Sequence, residues 1–240
     1  MISFKNQLQK ELADFGLDYS EGTLEKLLEY AGYVLEENKN QNLTRIVEPE
    51  AVVTRHLVDS LVLQKWFPSL EAGSLLIDLG TGGGFPGVPL AITWPGVQVV
   101  LVDSERKKVD FLQRAARELA LANVTAVHAR AEELGRDDDY REQADLVVAR
   151  SVAKLPVLLE YSLPLVKIGG RFCSYKGEGV ESEVAESDKA LKVLGGRLDS
   201  LLAYTLSSGD THHLVVFLKA TQTPHIYPRR PGIPQKRPLS

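Results

Sequence analysis

The sequence is short of several things, and each shortage removes a class of protein. A single cysteine, Cys173, in 240 residues excludes an internal disulfide framework and any cysteine-rich zinc site. The five histidines lack paired acidic or cysteine ligands at useful spacing, so no metal site is expected. Cations are not in excess. The net charge is −4, no whole-molecule field draws nucleic acid, and any RNA-binding surface must be local. No run approaches the ~18 apolar residues of a membrane helix. The N-terminal stretch M-I-S-F-K-N-Q-L-Q-K-E-L is charged throughout and lacks an apolar signal core. Internal repeats are missing too. The expectation is a soluble, cytoplasmic monomer with neither metal nor membrane partner.

What is present, at 44% hydrophobic residues, suffices for a proper core in one domain with an appendage. Residues 3–15 and 20–38 read as helices, the second with Leu24, Leu27, Leu28, Ala31 and Leu35 on one face. Asn38 to Thr44 is too rich in asparagine to continue a helix and reads as a surface loop. Pro49 suits the first turn of a third helix carrying Arg55, His56, Asp59 and Ser60. Those four either reach the ligand of the following turn or form a surface pair of small energetic weight.

That turn organises the chain. Leu75 to Gly87 reads L-L-I-D-L-G-T-G-G-G-F-P-G, an apolar strand running into five glycines within eight residues. Glycines cluster where φ is positive or backbone lies against a ligand. Strands and helices then alternate: Val97–Val102, helix Glu105–Leu121, Val124–His128, Ala144–Ala149, helix Leu155–Val166 and Gly170–Tyr175. Such alternation predicts a doubly wound parallel sheet. After a helix over 180–194, residues 198–206 and 214–218 form an antiparallel edge hairpin across S-S-G-D-T-H. The division expected is an N-terminal helical extension (1–70), a catalytic domain (71–220) and a basic, proline-rich tail (221–240). The tail holds five of twelve prolines, four cations and no acid. It is either a solvated tail or an arm that docks on phosphates.

In open α/β sheets ligands bind at the carboxyl ends of strands. The residues there are Asp78 with the glycines, Asp103, Ala131 and Glu132, and Arg150 with Ser151. Asp103 can accept hydrogen bonds from ribose hydroxyls, and can also cap the next helix. Gly82, Gly84 and Gly87 match G-x-G-x-x-G, but Pro86 and Pro89 bracket the third glycine and starve a phosphate site of N–H donors. The alternative D-x-G-x-G-x-G, from Asp78 through Gly80 and Gly82, is the form of methyltransferases that bind S-adenosylmethionine, whose ammonium Asp78 can offset.

With these residues named, the chain resembles the bacterial 16S ribosomal RNA guanine-N7 methyltransferases, the glucose-inhibited division protein B family, in its Gram-positive form. The motifs N-L-T (Asn42–Thr44), R-H-x-x-D-S (Arg55–Ser60), D-L-G-T-G-G-G-F-P-G (Asp78–Gly87), V-D-S (Val102–Ser104), R-A-E-E (Arg130–Glu133), A-R-S (Ala149–Ser151) and the Y-P-R-R-P-G-x-P tail stand in the family's order. The family often has proline where Gly83 stands. The resemblance implies a seven-stranded, mostly parallel Rossmann-like methyltransferase sheet using S-adenosylmethionine to methylate guanine N7 at the 527 site, in the 530 loop of 16S RNA, in the small subunit or an assembly intermediate. It implies cofactor contacts from Gly80, Phe85, Asp103, Ala131 and Glu132, with Arg150 near the reaction centre.

Arg150 replaces the aromatic motif of amino-directed enzymes, which agrees with a ring-nitrogen target. A guanine N7 needs no general base, so Arg150 is expected to position the base through O6 or a phosphate. Cys173, mid-strand, suits a buried apolar role better than that of a nucleophile for carbon methylation. RNA contacts are expected from Asn42, Arg45, Arg55, His56, Lys176, Arg229 and Arg230, while His212 and His213 read as structural or solvated. Methylation of a small metabolite and a non-catalytic RNA-binding role in ribosome assembly are the rival readings.

Overall fold

The structure, a computed structural model, describes residues 2–240. Helices α1 (Ile2–Asp14) and α2 (Glu21–Glu37) open the chain, α2 starting where the Ser20 hydroxyl accepts the Thr23 N–H. Leu24, Leu27 and Ala31 face the core as expected, but Tyr30 and Val34 complete the stripe instead of Leu28 and Leu35, which are half-buried.

The helix expected after Pro49 is a composite. It runs as α3 (Pro49–Val52), a π-helical turn (Val53–Val58), α4 (Asp59–Leu61) and a 3₁₀ turn (Val62–Lys65). The β-branched run Val52–Val53–Thr54 weakens regular α geometry. Two carbonyls of the π turn are taken by side chains, that of His56 by the Ser60 hydroxyl (2.5 Å) and that of Arg55 by Arg150 (3.0 Å). π turns are rare and cluster at functional sites.

Seven strands form one sheet: β1 (Leu75–Leu79), β2 (Gln98–Asp103), β3 (Val124–His128), β4 (Ala144–Arg150), β5 (Val166–Lys176), β6 (Gly196–Thr205) and β7 (Thr211–Lys219), in the order β3-β2-β1-β4-β5-β7-β6. β1 to β5 pair in parallel, and β7 lies antiparallel to both β5 and β6. The order reverses between β1 and β4, so the carboxyl ends of those two strands frame the crevice. The intervening helices are α5 (Gly87–Thr93), α6 (Arg106–Glu118), α7 (Ala131–Leu134), α8 (Leu155–Ser162), α9 (Val180–Ala185) and α10 (Asp188–Leu194), with α11 (Ile233–Lys236) near the C-terminus. The helix expected over 180–194 is divided because the Ser187 hydroxyl bonds back to the Glu183 carbonyl (2.7 Å).

Alternate residues of β1 feed two cores, one on each face. Leu76 joins α1, α2, α5 and α6, whereas Ile77 and Leu79 join α8 and α10. The N-terminal extension therefore shares a core with the sheet. Cys173 is fully buried and burial pushes its thiol up, which suits the apolar role expected of it. Among the described residues, no helix is long and apolar enough to cross a membrane.

The tail does not match a solvated arm. Thr223 is fully buried, its N–H on Glu142 (2.8 Å), and Arg229 spreads its backbone N–H, Nε and Nη2 over the fully buried Glu160 at 2.5–3.1 Å. A basic residue read from composition as available to phosphate is thus committed to a carboxylate of α8.

Candidate active site at the carboxyl ends of β1 and β4

β1 ends in the glycine turn, and positive φ at Gly80 (+67°), Gly82 (+57°) and Gly84 (+81°) explains three of its glycines. A Cβ on Gly84 would lie 1.9 Å from the Tyr30 hydroxyl, which itself donates to the Gly83 carbonyl (2.5 Å). The turn is pressed onto α2. Asp78 is fully buried and lines neither of the cavities at the turn, and its Oδ1 has no hydrogen-bond partner among the described residues. Its Oδ2 instead accepts from the Thr81 hydroxyl (2.7 Å) and the Gly87 N–H (2.8 Å), holding the turn closed. Full burial pushes its carboxyl up to about 6 against the pull of those two donors.

Asp103 holds the other side. Its Oδ2 accepts the Gly82 N–H (2.9 Å) and its Oδ1 the Glu105 N–H (2.8 Å). Each carboxylate oxygen keeps a lone pair for a hydroxyl. The carboxylate lies between two cavities, an outer one of about 680 Å³ and an inner one of about 190 Å³, both bordered by Gly80 and Asp103. The inner cavity is flanked by Leu79, Val102, Leu158 and Tyr161 and reaches Ala131 and Glu132. An apolar slot, a carboxylate and a backbone-lined turn in succession fit adenine, ribose and an amino acid end, the parts of S-adenosylmethionine.

The outer cavity contains a network that spans the chain. Arg150, at the end of β4, donates through Nη1 to Asp59 Oδ2 (2.6 Å) and the Arg55 carbonyl, and through Nη2 to His56 Nδ1 (3.2 Å). The other oxygen of Asp59 accepts from the Tyr204 hydroxyl (2.7 Å) and faces His212 Nδ1 (3.0 Å). Asp59 is only 2% exposed, so the surface pair expected of it is instead a buried hub. Burial alone would raise its carboxyl, but His212, Arg150 and Tyr204 together bring it below its usual range.

His56 stacks on Phe85 with ring centroids 4.5 Å apart and planes 12° from parallel, and the Arg150 guanidinium sits 5.7 Å above the same phenyl ring. Burial, then the charge of Arg150, lowers His56 to about 3, so it is neutral. A guanidinium only donates. Nδ1 must therefore accept, and the Nε2–H faces Thr44 Oγ1 (2.6 Å). Ser151, next to Arg150, holds φ +58°, a strained setting for a non-glycine residue at the strand end.

The remaining expected contacts divide. Arg55 is half exposed and pairs with Asp210 (2.7 Å) from the β6–β7 loop, while Asn42 and Arg45 are exposed on the loop whose Leu43 and Ile46 line the cavity. Lys176 borders the cavity but its ammonium bonds to the Ala153 carbonyl and Glu183. Arg230 is exposed, and Arg229, held by Glu160, lies outside the cavity lining. His212 has the structural tie expected of it, a bond to Asp59, and it also lines the cavity. Sequence reading also passed over Tyr204, Tyr175 and Asp210. The reason is structural: β7 runs antiparallel to β5 and pairs His213 with Lys176, which puts its first residues at the ligand end, and no local sequence signal carries that register. Among the described residues, no cluster of His, Cys, Asp and Glu is placed to hold a metal ion.

Comparison with known proteins agrees with this geometry. The family model for rRNA small subunit methyltransferase G matches residues 23–214. The ribosomal RNA small subunit methyltransferase G of Desulfitobacterium hafniense is 46% identical over 93% of this chain and 92% of its own length. That of Pelotomaculum thermopropionicum is 46% identical over 94% and 95%. Among solved structures, a 16S rRNA (adenine(1408)-N(1))-methyltransferase variant from Catenulisporales acidiphilia shares the fold at TM-score 0.53 and 17% identity, over 67% of this chain and 92% of that one. The precorrin-6y C5,15-methyltransferase of Geobacter metallireducens does so at TM-score 0.51 and 15% identity, over 75% and 92%. Over most of its length, from the second helix to the edge hairpin, this chain belongs to the rRNA small subunit methyltransferase G family, S-adenosylmethionine-dependent methyltransferases of ribosomal RNA.

Proposed function

We propose that the chain methylates N7 of the guanine at the 527 site, in the 530 loop of 16S ribosomal RNA, within the cytoplasm. The observation that carries the choice of a ring nitrogen is how the proton acceptors lining the outer cavity are engaged. His56 accepts from Arg150, Asp59 serves Arg150, Tyr204 and His212, Asp103 ties the turn, and Asp210 serves Ser208 and Arg55. Exocyclic amines and ribose hydroxyls lose a proton on methylation and benefit from a base. Guanine N7 has a lone pair and no proton, and needs alignment and a dry site instead.

The cofactor supplies a methyl group on a sulfonium. The protein's part is to fix both partners. Gly80 and Asp103 set the ligand end, and Phe85 with the stacked His56 forms a flat apolar floor. Arg150 keeps its Nε–H and one Nη2–H beyond the three contacts above, and these can hold guanine O6 or a phosphate. Methylation at N7 leaves a cationic base. The 2.6 Å pairing with Asp59 offsets the charge of Arg150 and makes it a tolerable neighbour for that product.

Incubation of the purified protein with methyl-labelled cofactor and small-subunit RNA, naked or partly assembled, should place one label at N7 of that guanine, detected by chemical cleavage at 7-methylguanine. Label on an amino group or ribose, or no transfer, refutes the proposal. Transfer to a small metabolite without RNA also refutes it.

A further inference from the structure

The tail has a second relation to the site. From Thr223 the chain is strapped to the domain by groups reaching out from it. Arg141 donates to the Thr223 carbonyl (2.8 Å) and the Tyr227 carbonyl (2.9 Å), and Arg136 to the Pro228 carbonyl (2.9 Å). A Cβ on Gly135 would meet the Pro228 ring at 3.0 Å, so the two segments are in close contact. Arg229 is gripped by Glu160. Glu132 of α7, 4% exposed, accepts the Gly232 N–H at 2.8 Å, and Leu239 is buried in the core cluster of α8. Through these ties Gly232 and Gln235 become part of the lining of the inner cavity, which Ala131 and Tyr161 also line.

Three points bear on what this wall does. The oxygen Oε1 of Glu132 is committed to Gly232, so this carboxylate builds the wall as well as bordering the cavity. The Gln235 side chain, exposed at the cavity rim, has no hydrogen-bond partner among the described residues. A carboxamide carries a donor and an acceptor side by side, matching the acceptor and donor that adenine shows at N1 and its 6-amino group. We propose that segment 223–240 is a fixed wall of the cofactor's adenine subsite and that Gln235 is a specificity-determining residue for the adenine base. This rests on the reading that the cofactor occupies both cavities.

The test is calorimetric titration with S-adenosylhomocysteine and with its 6-deamino analogue, in which purine replaces adenine and the 6-amino donor is lost, on the wild type, on Gln235→Ala, and on a chain ended after Arg230, which keeps the Arg229–Glu160 pair. Gln235→Ala should weaken S-adenosylhomocysteine about three- to tenfold, the range of one net hydrogen bond. It should narrow the discrimination between the two ligands, and raise KM for the cofactor with kcat within about twofold. The shortened chain should bind at least as weakly, and both variants should keep wild-type affinity for small-subunit RNA. If the shortened chain does not fold, trypsin cleavage after Lys236 of the intact protein gives the same information, because bound S-adenosylhomocysteine should slow it. Unchanged ligand affinity and discrimination in Gln235→Ala, or cleavage indifferent to ligand, overturns the proposal. Lost RNA affinity with intact ligand binding overturns it in favour of a phosphate-docking arm. A wild type that binds no S-adenosylhomocysteine instead refutes the placement of the cofactor itself.

Discussion

Asp59→Asn tests whether the network around Arg150 is as tightly coupled as its geometry requires. The carboxylate is 2% exposed and meets Arg150 at 2.6 Å, the Tyr204 hydroxyl at 2.7 Å and His212 at 3.0 Å. Breaking a buried ion pair by neutralising one partner costs about 3–5 kcal/mol. Two features reduce that. Arg150 keeps the Arg55 carbonyl and His56 as partners, and the asparagine can point its oxygen at Arg150 and its amide at Tyr204 and His212. The expected loss is therefore about 2–4 kcal/mol, the lower part of that range widened for these compensations. For a chain of this size it corresponds to a drop of roughly 4–16 °C in Tm. Methyl transfer at saturating cofactor and RNA should fall by about 10²-fold, the cost of a displaced positioning group. The assay pairs thermal melts with initial rates for Asp59→Asn, Arg150→Met and the double variant. Coupling predicts that the double variant loses at least about 1 kcal/mol less than the sum of the singles. Additive losses, or an Asp59→Asn enzyme within about twofold of wild-type rate, would falsify the reading of Asp59 as the residue that positions Arg150.

Four further outcomes follow from the same geometry. Gly84→Ala, whose Cβ would collide with Tyr30 at φ +81°, should cost at least about 3 kcal/mol in urea unfolding, whereas Gly83→Ala, with its nearest neighbour at 3.4 Å, should stay within about 1 kcal/mol. His212 is raised above its ordinary value by its hydrogen bond to Asp59. Its stabilising contribution is therefore complete below the unfolded histidine pKa and lost as pH rises through the folded value. His212→Gln should flatten that limb of the stability profile, and an unchanged slope counts against the bond. Asp78, with burial raising it to about 6, favours folding when protonated and loses that contribution as pH rises through 6. Asp78→Asn should remove this pH dependence and leave S-adenosylhomocysteine affinity within about twofold if the residue only closes the turn; a tenfold loss in a folded variant restores the ammonium contact. Arg229→Met strips the buried Glu160 and should cost about 3 kcal/mol, against near zero for the exposed Arg230→Met, measured by thermal denaturation.

What was legible in the sequence was whatever a local pattern encodes. The alternation from Leu75 onward gave the parallel pairing of the strands but not their order, the glycine spacing gave the turn, and strand ends gave Asp103 and Arg150 as candidates. What was illegible was pairing across distance. Asp59 and Arg150 were each marked as candidates, but nothing local says that residues 91 apart meet at 2.6 Å, or that Tyr204 and His212 from the edge hairpin share the same carboxylate. Composition misled at the tail for the same reason. Five prolines and four cations describe a segment unable to form its own core. They do not say that Glu160 and Glu132 supply buried acceptors for it, and Glu142 a partly buried one, from elsewhere in the chain.

These two failures have one physical root, which also explains the layout of the site. A doubly wound sheet puts ligand-facing residues at strand ends, where local signals are strong, but leaves the walls of the crevice to whatever segments pack above. In this chain two segments serve. The composite helix with its π turn presents Arg55, His56 and Asp59 over the outer cavity, and the tail presents Gly232 and Gln235 over the inner one. Both are held by buried carboxylates, Asp59 on the first and Glu132 and Glu160 beneath the second. A buried carboxylate is costly unless its partner is in place. Displacing either wall would leave such a carboxylate without its partner, which holds each wall in its seated position. That seating fixes the composite helix and the proline-rich tail over the crevice, where the proposed methyl transfer needs cofactor and base aligned.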